Sequence, residues 1–198
     1  MLRRHWMLRT LPGLAAMAAS AGQGALAANV QIPPPPELSA LGADARLLGH
    51  KRFRYWGLHV YDAQLWVRPG FEPQRFAAHP FMLSLTYARA LRAADIAQRS
   101  LEEIARQGAV DDDQAQPWLQ ALRRVLVDVR PGDRLSGVYQ PADVGRFHAN
   151  GQPTGVIRDA QLMPRFFGIW LGPQTSEPSL RRALLGMDEL RGWGRHEG

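Results

Sequence analysis

Apolar and polar positions alternate with a period of two at several places along the chain. Residues 58–67 are β-branched, aromatic or alternating, and Arg68-Pro69-Gly70 ends the run. Residues 47–56 read the same way, and Gly57 between the two runs predicts a β-hairpin over 46–67. Residues 81–87 predict a further strand, with Phe81, Leu83, Leu85 and Tyr87 on one face and Met82, Ser84 and Thr86 on the other. The period then lengthens. Asp95 is placed to cap a helix whose face is Ile96, Ser100, Leu101 and Ile104, and Gly108 closes it. A second helix, from about Gln114, carries a stripe of Trp118, Leu119, Leu122, Val125 and Leu126. After the turn Pro131-Gly132-Asp133 come a strand over 134–140 and a second hairpin over 145–157. Its tip is Asn150-Gly151, a pair that tolerates the positive φ of a type I′ turn. A helix over 160–171 has Pro164 in its first turn, and the last helix runs from the capping hydroxyl of Ser176 through Pro178 to Gly186. Strands, helices, strands and helices in that order predict an α+β fold, an antiparallel sheet with helices packed on one face.

Composition narrows this. The 198 residues suit one medium domain. Cysteine is absent, which excludes disulfides, thiolate zinc sites, iron–sulfur clusters and a cysteine nucleophile. The net charge is +6, and Lys51 is the one lysine in an otherwise arginine-based basic set. The arginines are scattered and form no stripe, so they read as coding bias and no nucleic-acid partner is expected. Arg3, Arg4 and Arg9 lie in residues 1–27, which hold no acid; a short apolar stretch over 11–21 and Ala25-Leu26-Ala27 follow. This is the pattern of a secretory signal cleaved near Ala27, with an amphipathic N-terminal helix of the mature domain as the alternative. Arg3-Arg4 before Trp6 and Met7 leaves the general and twin-arginine export routes both open. Nothing after it provides eighteen apolar residues in a row, so the mature chain is expected to have no stable membrane span and to be periplasmic or secreted. Residues 28–40, with prolines at 33–36, read as an extended leader to a domain over 41–187, and residues 188–198 as a flexible polar tail.

No phosphate-binding glycine loop, dinucleotide fingerprint or nucleophile elbow is present, and the histidines never reach zinc-protease spacing. His50, His59 and His148 could meet only across strands; neither a metal nor a cofactor is expected. Asp111-Asp112-Asp113 suits a helix start better than a calcium loop. The first hairpin holds the chemistry. Tyr61 shares a strand face with His59, Ala63, Leu65 and Val67. A two-residue turn at Trp56-Gly57 sets Arg52 opposite Tyr61 and Arg54 opposite His59; a three-residue turn sets Phe53 opposite Tyr61 and Lys51 opposite Ala63. Either Phe53 and Tyr55 point inward with Arg52 and Arg54 solvated, or a cation turns into the apolar side. There it would need an anionic partner, because a bare buried charge is strongly unfavourable. An arginine fork with a tyrosine hydroxyl suits a carboxylate or phenolate on an apolar tail.

The run from Leu48-Gly49-His50-Lys51-Arg52-Phe53-Arg54-Tyr55-Trp56-Gly57 to Tyr61 and Trp66 resembles the chalcone isomerase-like family, and within it the exported bacterial branch. Val129-Arg130-Pro131-Gly132-Asp133, Asn150-Gly151 with Gly155, Phe166-Phe167-Gly168-Ile169-Trp170-Leu171-Gly172, Thr175-Ser176 and Leu184-Leu185-Gly186 follow in the family's order. The resemblance covers about residues 41–187. It implies an open-faced β-sandwich, a large antiparallel sheet layered with helices. True members close a flavanone ring by attack of a phenolate on an enone. By motif position, the resemblance places the phenolate-holding cation near Lys51, beside Arg52 and Arg54, and a strand hydroxyl at Tyr61. The family's helix Tyr and Asn fall near Arg92 and Arg99 here, and a further hydroxyl near Met163, so most of the catalytic set is missing. Non-catalytic relatives hold a fatty-acid carboxylate with an arginine and a tyrosine. The expected activity is therefore binding of a small apolar acid, fatty acid or phenolic, by Lys51, Arg52, Arg54 and Tyr61. Tyr87 would be either cleft lining or sheet core. An intramolecular lyase of the chalcone isomerase type and an envelope interaction protein using Trp56, Trp66 and Arg54 are the alternatives.

Overall fold

A computed structural model of the protein describes residues 33–141 and 144–187. The expected signal over 1–27, the first part of the leader and the tail over 188–198 lie outside the described residues. Six strands, β1 (Arg46–Tyr55), β2 (Leu58–Val67), β3 (Phe81–Tyr87), β4 (Arg134–Gln140), β5 (Val144–Ala149) and β6 (Gln152–Arg158), form one sheet. They pair in chain order and all neighbours are antiparallel. Four helices, α1 (Ala93–Arg106), α2 (Asp112–Val125), α3 (Leu162–Leu171) and α4 (Pro178–Leu184), complete an α+β fold. The main core lies between one sheet face and the helices: Leu65, Phe81, Leu83 and Leu85 meet Ile104, Leu122, Phe167 and Leu184.

The strand predictions hold closely, and the helix starts differ by physical detail. Asp95 does not cap α1; Arg92 precedes the helix without a side-chain cap and binds Asp95 by two hydrogen bonds of 2.8 Å. Ser176 does not cap α4 either. The Thr175 hydroxyl accepts the Glu177 N–H at 3.1 Å instead. Two consecutive 3₁₀ turns over Pro73–Ala78 carry no periodicity the sequence could announce.

The other sheet face is also covered near its centre. Met82, Ser84, Ser136 and Val138 are buried there, where strict one-sided packing would leave them wet. The 3₁₀ segment Pro36–Ala40 seals part of it: the Glu37 carboxylate accepts hydrogen bonds from the Ser136 hydroxyl at 2.5 Å and the Arg134 guanidinium at 3.3 Å. The leader expected to be a spacer through residue 40 is therefore docked from Pro36 onward, because a buried carboxylate must be paired where it lies.

Candidate functional site: a cavity between sheet and helices

A cavity of about 600 Å³ opens between the inner sheet face and the helices. Its walls are largely apolar: Leu83 and Leu85 from β3, Phe147 from β5, and Phe166 and Phe167 from α3. The volume lies within the roughly 300–1,000 Å³ usual for small-molecule sites.

The register of the first hairpin decides which side chains enter it. Tyr55 pairs with Leu58 and Arg54 with His59, as a two-residue turn requires. One step later Phe53 pairs with Tyr61 and Lys51 with Ala63, as a three-residue turn would give. Val60 is the extra residue, a β-bulge that joins the two registers. Both Val60 and Tyr61 line the cavity, and His59 does not share Tyr61's face as the alternation suggested. The His59 imidazole lies 3.2 Å from Asp62, which also pairs with Arg52 at 2.9 Å.

The expectation that a hairpin cation turns into the cleft is corrected by this register. Phe53 and Tyr55 point inward and line the cavity, whereas Lys51, Arg52 and Arg54 do not. Lys51 donates to the hydroxyl and carbonyl of Ser179 at 2.5 and 3.3 Å, tying β1 to α4. Arg52 is spent on Asp62, and Arg54 is exposed. Of the positions set by resemblance on the helices, Arg99 lines the cavity, Arg92 sits outside it, and Met163 is core. Trp66 is buried, with its indole N–H directed to Gln64 at 3.3 Å, so it offers no exposed surface. His148 on β5 is separated from β1 and β2 by β3 and β4, so the three histidines do not meet.

Tyr61 and Tyr87 both line the cavity, with ring centroids 5.8 Å apart edge to face. The Trp170 indole N–H donates to the Tyr61 oxygen at 3.0 Å, which leaves the Tyr61 proton free to be donated onward. Burial pushes both phenols well above the usual tyrosine range, so both remain protonated donors.

Arg99, bound to Glu103, and Arg89 both border the cavity, and sequence reasoning missed Arg89. It extends the inward alternation of Leu83, Leu85 and Tyr87 by one more step, and that period was the available signal. Three carboxylates share the cavity lining with it: Glu103, Glu177 and Asp95, the last paired with Arg92. Further in, the buried Glu103 carboxylate lines the cavity and is held by Arg99 at 2.5 Å. With Arg99 committed to Glu103, Arg89 is the lining cation available to an anionic ligand head, and Glu177 is the lining carboxylate that such a head must avoid. Among the described residues, no helix is long and apolar enough to cross a membrane.

Comparison with known proteins agrees with this fold. The sequence profile described as chalcone isomerase-like matches residues 49–186. An uncharacterised protein of Haemophilus influenzae is 29% identical over 139 residues, 70% of this chain and 67% of that one. The crystal structure of a fatty-acid binding protein of Arabidopsis thaliana superposes with a TM-score of 0.56 at 13% identity, covering 73% of this chain and 88% of the other. At that identity the likeness establishes the fold, an open antiparallel sheet layered with helices.

Proposed function

Because the chain belongs to the chalcone isomerase-like family, we propose that it binds a long-chain fatty acid or a similar amphipathic acid without chemical turnover. The observation that carries this reading is the largely apolar cavity of about 600 Å³ with Arg89 at its border, a second cation, Arg99, committed to Glu103, and two protonated phenols inside. The apolar walls take the tail. Arg89 holds the carboxylate, with Tyr87 or Tyr61 donating a hydrogen bond to it. The plant fatty-acid binding protein of the same fold supports this class of ligand. Of the positions set by resemblance for turnover of a phenolic enone, Tyr61 and Arg99 line the cavity, Arg99 being bound to Glu103, whereas Arg92 lies outside it and Met163 is core, so the catalytic set is incomplete. The same reading takes residues 1–27 as an export signal and places the mature protein in the periplasm or outside the cell. N-terminal sequencing of envelope material beginning near Ala28 would support that placement, and an intact Met1 would contradict it.

The test is calorimetric titration of lipid-stripped protein with a long-chain fatty acid and with its methyl ester. The acid is expected to bind at one site and the ester about tenfold more weakly, the effect of losing a charge-assisted hydrogen bond. Equal affinities would remove the carboxylate from the account. A chalcone consumed faster than its spontaneous cyclisation would replace binding with catalysis.

A further inference from the structure

The two hairpins of this sheet end in the same turn with opposite chemistry. At the β5–β6 tip, Asn150 and Gly151 have φ of 49° and 85°. At the β1–β2 tip, Trp56 and Gly57 have φ of 52° and 79°. Asparagine suits this left-handed position, whereas a bulky side chain there is strained by about 1–2 kcal/mol. Strain of that kind persists where something other than stability selects the residue. The Trp56 side chain gains no burial in return: the residue is 87% exposed. Tyr55 and Leu58 on either side are each 55% exposed, and both also line the cavity. The exposed apolar tip and the cavity wall are therefore one continuous surface.

Two cations flank that tip. Arg54 precedes Tyr55, and Arg89 stands beside it because the Ala88 N–H donates to the Val60 carbonyl at 2.9 Å. Asp62 on β2 is already paired with Arg52 and Asp95 with Arg92, and Glu177 remains as a further carboxylate of the cavity wall. A convex tip of four residues is too small for a protein interface, which needs about 800 Å² from each partner. Tryptophan and tyrosine favour the headgroup layer of a bilayer, and nearby arginines favour anionic lipid. We propose that the β1–β2 tip, Tyr55 to Leu58, seats in the headgroup layer of an anionic lipid bilayer, so that the cavity mouth faces the membrane. The docking stands on the tip itself and does not depend on what fills the cavity.

The test uses the full chain, whose lack of cysteine permits a single labelled site. Leu58→Cys carries a polarity-sensitive fluorophore, and Val156→Cys, exposed on β6, carries the same label as a control. The site-resolved readout matters because Arg3, Arg4 and Arg9 could themselves draw the chain to anionic vesicles. With phosphatidylcholine vesicles containing phosphatidylglycerol, the label at 58 is expected to shift to the blue and be quenched by brominated lipid, while the label at 156 is unchanged. Trp56→Asn, which gives this tip the residue pair of the other hairpin, is expected to fold and to weaken the response at 58 about tenfold. Arg54→Gln is expected to weaken it about fivefold on anionic vesicles and leave neutral ones unaffected. Fatty-acid affinity in vesicle-free solution should be the same in Trp56→Asn as in the parent, which separates docking from cavity binding. A silent label at 58, equal responses at both sites, or full binding by Trp56→Asn would overturn the proposal. So would a blue shift that grows with protein concentration without vesicles, which would mean that a second copy covers the tip.

Discussion

Tyr61 is held on both sides, stacked on Phe53 at 4.8 Å between centroids and fixed at its oxygen by Trp170. With its lone pair engaged by the indole, its proton is directed away from Trp170, so the hydroxyl is set as a donor. Tyr61→Phe is expected to weaken fatty-acid binding severalfold if Tyr61 is the donor to the ligand, in line with about 1 kcal/mol for one neutral hydrogen bond. Arg89→Gln should cost about tenfold and should abolish the preference for acid over methyl ester. Calorimetric titration of each variant checks both. The phenols also leave a spectroscopic mark. The chain has four tyrosines, and burial raises the pKa of Tyr61 and Tyr87 in the fold. A group raised in this way contributes stability that is complete below its unfolded pKa, near 10, and is lost as pH rises toward the folded value. Ultraviolet titration of the folded protein should therefore show Tyr61 and Tyr87 silent through pH 10, ionising only as the protein unfolds. Ionisation of Tyr61 and Tyr87 near pH 10 in the folded protein would show that the two rings are wet.

At the scale of the element, the first hairpin shows how far sequence reasoning reaches. The alternation in β1 and β2 located both strands, and the two possible turns bracketed the register. The bulge at Val60 was not legible, because no residue type announces one extra residue in a strand that is otherwise regular. That single residue puts Phe53 and Tyr55 inside and the cations outside. Arg89 was hidden differently, since it follows the last paired residue of β3 and looked like loop. The hairpin has a second bulge, at Leu48 of β1, followed by Gly49, against which α4 packs by its backbone. A Cβ at Gly49 would collide with the Ala183 carbonyl oxygen. Gly49→Ala should lower the unfolding free energy by about 2 kcal/mol, the order expected of overpacking against rigid backbone. Trp56→Asn should act in the opposite sense and raise it by about 1 kcal/mol by relieving the left-handed strain. Chemical denaturation of both variants checks the pair.

For the whole molecule, the six-stranded antiparallel order and the layer of helices follow from the hydrophobic pattern, and the cavity does not. Phe166, Phe167 and Trp170 mark α3 as core-facing in the sequence, yet whether the facing surfaces close completely depends on side-chain packing across four elements. The docked leader was also illegible, since four prolines read as a spacer and a single Glu37 gave no sign of burial. That carboxylate makes the fold sensitive to acid. Burial alone would raise its pKa, but hydrogen bonds from Ser136, its own backbone and Arg134 outweigh burial and lower it from 4.5. Its contribution is complete above that ordinary value and is lost as pH falls through the lower folded one. Glu37→Gln should therefore be less stable at neutral pH and show a shallower acid limb in unfolding experiments across that range. The central claim, that the space between sheet and helices is a binding site for one apolar acid, is tested most directly by native mass spectrometry of the lipid-stripped chain with a long-chain fatty acid. The account predicts a single saturating adduct, one ligand per chain, that Arg89→Gln weakens. No adduct, or an unsaturating ladder of adducts that Arg89→Gln leaves unchanged, would contradict it.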